Sequence, residues 1–92
     1  LLKWGTPGTG DGQLQLPEGL TLDNSGNVYV PDQNNHRIQK FDSNGNFLLK
    51  WGTLGTGDGE LNQPIGIAVD GSGNVYVTDG SNQRVQKFTL GE

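Results

Sequence analysis

The side chains in this sequence best suited to chemistry come in a repeated pair. Asp32 and Asp79 are each followed five residues later by an arginine, Arg37 and Arg84. Across a short polar loop, such a pair can act in two ways. The arginine can offer an anion- or peptide-binding group, or the carboxylate can accept loop amides and pair with the arginine, tying the loop into its own unit. The repetition of the pair favours the second role, because a framework contact recurs in every unit. His36 is the only histidine, and its counterpart is Gln83. A catalytic base needs an oriented partner and a metal ligand needs companions, so His36 reads as an exposed loop residue.

Other patterns are weaker. The glycine-rich loops at residues 5–12 and 52–59 lack the Lys-Ser/Thr ending of a phosphate-binding loop and open no helix. Asp23-Asn-Ser-Gly-Asn has the look of a calcium loop, but the closing glutamate would fall on Asn34, or on Ser81 in the second copy. With no cysteine there is no disulfide and no thiolate metal site. No catalytic residue, metal site or cofactor follows from these residues. Trp4, Trp51, Tyr29 and Tyr76 hold fixed places in each unit, which assigns them to packing between units rather than to stacking on a ligand. The charge of −4 comes from six dispersed Lys/Arg against ten Asp/Glu, which disfavours nucleic acid and anionic membranes. No apolar run is long enough to span a bilayer.

The elements that position these residues form one unit written twice. Shifted by 47 residues, the sequence aligns with itself without gaps: Lys3-Trp-Gly-Thr on Lys50-Trp-Gly-Thr, Gly8-Thr-Gly-Asp-Gly on Gly55-Thr-Gly-Asp-Gly, Ser25-Gly-Asn-Val-Tyr-Val on Ser72-Gly-Asn-Val-Tyr-Val, and Gln39-Lys-Phe on Gln86-Lys-Phe. Apolar alternation and β-branched or aromatic runs predict strands at 19–23 and 66–70 (a), 27–31 and 74–78 (b), 36–41 and 83–88 (c), and 46–51 with 1–4 (d). The Asp-x-x-Gly-Asn segments read as tight turns. Pro31 stands where the second unit has Thr78, so strand b of the first unit is expected to end or distort there.

A four-stranded unit of this length has a propeller-blade period. The run from Gly57 through Asp79, followed by Asn82-Gln-Arg-Val-Gln-Lys-Phe, resembles an NHL repeat, and residues 10–41 carry the same pattern. The resemblance implies an all-β chain of two four-stranded antiparallel propeller blades, in a family whose propellers usually have six. The units divide as 1–47 and 48–92. The resemblance also implies that the face carrying the d–a and b–c loops binds ligands. Its candidate residues here are Asp32, Asn35, His36, Arg37, Asp79, Asn82 and Arg84, with a protein or glycan as ligand and nucleic acid disfavoured by charge.

Strand order sharpens this expectation. The chain reads d, a-b-c-d, a-b-c, so the first strand belongs to a preceding blade and the second blade lacks its fourth strand. Leu1, Leu2, Lys3 and Trp4 are expected to pair with Arg84, Val85, Gln86, Lys87 and Phe88 of a neighbouring copy. Two periods span 94 positions against 92 residues, which sets Glu92 opposite Gly45. Head-to-tail closure by strand exchange would give a six-bladed C3 homotrimer, and four chains an eight-bladed ring. The expected function is self-assembly into a scaffold without catalysis, and the near-identity of the units fits an engineered or reconstructed propeller piece. The alternative is a ligand-binding module using the loop face.

Overall fold

The computed structural model describes residues 1–89; positions 90–92, including the expected alignment of Glu92 with Gly45, lie outside the described residues. The strands are β1 (Thr6–Pro7), β2 (Gln13–Leu14), β3 (Thr21–Leu22), β4 (Val28–Asp32), β5 (Arg37–Phe41), β6 (Phe47–Trp51), β7 (Pro64–Val69), β8 (Asn74–Asp79) and β9 (Arg84–Thr89). They form two antiparallel meanders, a four-stranded sheet β3-β4-β5-β6 and a three-stranded sheet β7-β8-β9. The β1-β2 pair is parallel and lies in the loop entering the first sheet; its counterpart before the second sheet is a bridge between Leu54 and Leu61.

The meanders form because each a–b connection is an Asp-centred turn. The Asp23 carboxylate accepts the Ser25 and Asn27 backbone N–H groups at 2.9 and 3.0 Å, the Asn27 side-chain amide at 3.1 Å and the Tyr29 hydroxyl at 2.9 Å. Asp70 repeats the set with Ser72, Asn74 and Tyr76. Asp42 caps the c–d turn in the same manner through Asn44 and Asn46. The Asn74 side chain and backbone amide, with Tyr76 and Ser72, outweigh some desolvation and lower the Asp70 pKa from 3.8 to about 2. Asp42 is lowered too, chiefly by the Asn46 side chain. At Asp23 burial pushes upward, but the Tyr29 and Asn27 hydrogen bonds win.

A carboxyl whose folded pKa is depressed adds stability above its unfolded value, and that contribution fades as pH falls through the folded value. Thermal melts followed by circular dichroism are therefore expected to hold steady down to about pH 5 and to drop steeply between about pH 4 and pH 2. The combined variant Asp23→Asn and Asp70→Asn should flatten that drop. An unchanged acid slope in the variant would remove these turns as its cause.

The core lies mainly between the two sheets. Tyr29 and Ile38 from the first meet Val75 and Val77 from the second and Leu61 from the loop that leads into it, with Trp51, Ile67, Val69 and Phe88 around them. A second cluster, Val28, Val30 and Phe41 with Leu14 and Phe47, covers the first sheet's other face. Trp51 is the hinge of the joint, its ring 5.7 Å from Phe88 and 6.4 Å from Tyr29.

One expectation is corrected. Strand b of the first unit does not end at Pro31; β4 runs through Asp32, with Pro31 in register opposite Ile38. The disruption falls instead on strand a, which has two residues in β3 against six in β7. In the second sheet the Thr78 hydroxyl accepts the Gly66 N–H at 2.6 Å, pinning strand a. Pro31 has neither a hydroxyl nor an amide to offer there. Residues 1–4, expected to pair with a neighbouring copy, form no strand within the chain. A strand needs a ladder partner, and the first sheet's β5 already has β6 on its outer side.

Candidate functional site

Each Asp–Arg pair is the centre of a network that stitches the long d–a loop to its sheet. Arg37 Nε donates to Asp32 at 2.9 Å, while its Nη atoms donate to the carbonyls of Thr9, Gly10 and Gln13 at 2.9, 2.9 and 2.7 Å. Asp32 also accepts the Gln15 backbone N–H at 2.6 Å and the Asn35 amide at 2.9 Å. Arg84 repeats this with Asp79 at 2.8 Å and the carbonyls of Thr56, Gly57 and Glu60 at 2.8, 2.8 and 2.7 Å. Asn82 links Asp79 to the Gly55 carbonyl. At Asp79 burial favours the neutral acid, but the Asn62 amide, Asn82 and Arg84 together hold the carboxyl below its usual value.

Glutamines that sequence reasoning passed over complete the networks. Gln39 donates to the Gln13 carbonyl and Asp32, and its Oε1 accepts the Gly12 N–H. Gln86 does the same with Glu60, Asp79 and Gly59. Their identical place in the Gln-Lys-Phe repeats was the available signal.

The d–a and b–c loops lie side by side at one end of the sheets. The b–c loops, each a single 3-10 turn at Gln33–Asn35 and Gly80–Asn82, lie beside the d–a loops through Asn34 N–H to Gln15 O and Ser81 N–H to Asn62 O. Asp32, Asn35, Arg37, Asp79, Asn82 and Arg84 spend their polar atoms inside the blades. His36 is half-buried at the joint between blades, where its Nδ1 accepts the Gln63 N–H at 3.0 Å. A cleft of about 520 Å³ opens beside it, lined by residues including Lys50, Trp51 and Leu54. No cluster of three metal-ligating side chains occurs among the described residues.

The other candidate is the pair of open sheet faces. Trp4 lies on Phe41 with ring centroids 6.0 Å apart, as Trp51 lies on Phe88 at 5.7 Å, 47 residues on. Gly45 makes room for it: a Cβ there would come within 2.7 Å of the Trp4 ring. Trp4 thus repeats the ring contact that Trp51 makes, while Leu1 and Leu2 beside it stand out into solvent. Beside it is a groove of about 380 Å³ lined by Leu14, Pro17, Leu20 and Val30. At the opposite end β9 has no strand on its outer side among the described residues. Ile38 is fully buried against the second blade, whereas its counterpart Val85 is 64% exposed.

Comparison with known proteins bears on this geometry. The NHL repeat model matches residues 14–41 and 61–88, more than half of the chain. The chain is similar to protein lin-41 of Caenorhabditis elegans (46% identity over 48 residues, 52% of this chain and 4% of that protein). It is also similar to human NHL repeat-containing protein 3 (43% over 44 residues, 46% of this chain and 13% of that protein) and to protein brain tumor of Drosophila melanogaster (42% over 45 residues, 49% and 4%). The chain thus spans a small part of each of these relatives. Its two antiparallel meanders, their repeated Asp-Arg-Gln networks and the two matched segments make it a member of the NHL repeat family.

Proposed function

We propose that the chain is a self-assembling propeller unit: three copies close head to tail into a six-bladed ring, a non-catalytic scaffold. The observation that carries this reading is the mismatch between the joint inside the chain and the two faces at its ends. Inside, Tyr29, Ile38 and Trp51 of one blade are covered by Leu61, Val75, Val77 and Phe88 of the next. At the ends apolar side chains lie open instead: Val85 is 64% exposed beside a half-buried Tyr76 on one side, and Leu20 and Trp4 are 59% and 37% exposed on the other. A surface of one copy therefore fits the complementary surface of the next, and a heterologous contact of this kind closes into a ring when the rotation allows. Leu1, Leu2, Lys3 and Trp4 would then pair with Arg84, Val85, Gln86, Lys87 and Phe88 of the adjoining copy. Deletion of residues 1–4 is expected to abolish the trimer, measured by light scattering after size exclusion. A deletion variant that keeps the parent's mass contradicts strand exchange.

The cleft beside His36, of about 520 Å³, supports a second reading, a module that binds a protein or glycan through the loop face. Peptides or glycans that bind the assembled protein and lose affinity in His36→Ala would establish it.

A further inference from the structure

The complete blade is a template for the contacts that finish the incomplete one. In the first sheet β5 pairs with β6 as Ile38 with Trp51, Gln39 with Lys50 and Lys40 with Leu49. Moved on by 47 residues, the same register sets Val85, Gln86 and Lys87 opposite Trp4, Lys3 and Leu2 of a second copy. The two blades are close enough in detail for this transfer: each arginine makes its four hydrogen bonds at distances matching within 0.1 Å.

One polar contact in the template has half of its counterpart already in place. Lys50 Nζ, on the outer strand, reaches Asp11 at 2.5 Å. Asp11 precedes Gly12, whose N–H is held by Gln39 at 2.9 Å. In the second blade Gly59 N–H is held by Gln86 at 3.0 Å in the same way, so the preceding residue, Asp58, is presented as Asp11 is. Asp58 is exposed and has no ion pair among the described residues. The cations of its own blade are engaged elsewhere, Arg84 with Asp79 and Lys87 over the Tyr76 ring. Lys3, the counterpart of Lys50, is exposed and likewise unpaired among the described residues.

We propose that Lys3 of one copy pairs with Asp58 of the next and so sets the register of the exchanged strand. This rests on the ring reading above and adds a residue-level partner to it. A slip of one residue would put Leu2 or Trp4 at Asp58 and turn the apolar side chains to the wrong face.

Charge reversal tests the pair. Lys3→Glu and Asp58→Lys, each alone, should raise the concentration at which the trimer half-dissociates by roughly fivefold, because like charges then face each other at all three joints. The double variant should return to within about twofold of the parent at low salt, and the single-variant effects should shrink at high salt. If the parent is a trimer and the double variant shows only the summed losses, the ion pair is wrong and the ring stands. If the parent is a monomer, the ring and this contact fall together.

Discussion

Replacing Arg37 with alanine is expected to be among the most destabilising single changes in the chain. Asp32 is fully buried and the Arg37 side chain is 8% exposed, so water cannot take over the lost interaction. Removing one partner of a buried pair leaves an uncompensated charge, and such losses run to about 3–5 kcal/mol. Asp32 would keep the Gln15, Asn35 and Gln39 donors, which places the expected loss near the lower end, about 3 kcal/mol. Against a total of about 5–15 kcal/mol for a folded domain, that is a large fraction. The carbonyls of Thr9, Gly10 and Gln13 would also lose their donor and free the d–a loop. Arg37→Lys should rescue little, because one ammonium cannot span a carboxylate and three carbonyls as a planar guanidinium does. The Arg84 side chain is 29% exposed, so Arg84→Ala should cost less. Chemical denaturation of the three variants checks this order. Equal losses at Arg37 and Arg84 would mean that burial does not govern the network.

The second large effect is expected at Val85, which looks harmless in a single chain. Val85→Asp places a carboxylate where Ile38 sits in the joint inside the chain. Burying it without a partner at each of three joints should dissociate the ring. The converse variant separates assembly from folding. Val85→Ile reproduces Ile38, adds one buried methylene worth about 0.8 kcal/mol per joint, and should tighten the trimer. Sedimentation equilibrium on both variants decides. If neither shifts the association constant, β9 is a solvent face and not a joint.

Much of this was legible in the residues because the repeat states it twice. The 47-residue period, the Asp-x-x-Gly-Asn turns and the β-branched runs at 28–30 and 75–77 each specify their structure locally. The role of the Asp32–Arg37 pair could be weighed from its repetition alone. What escaped the sequence depends on contacts remote in the chain. Leu16, His36, Gln63 and Gln83 adopt left-handed backbone conformations with φ between 54° and 60°, though none is glycine or asparagine. Neighbouring loop contacts hold them there, such as Asn34 N–H to Gln15 O and Gln63 N–H to His36. The shortening of β3 arises from a hydroxyl that Pro31 lacks on a different strand. His36 read as a free loop residue because its partner, the Gln63 amide, is 27 positions away.

The most direct test of the ring is the native mass of the intact chain, by multi-angle light scattering or native mass spectrometry. Three 9.8-kDa chains, about 29 kDa, is the expected result. A mass of a single chain across the accessible concentration range would contradict it, and a mass of four chains would replace six blades with eight.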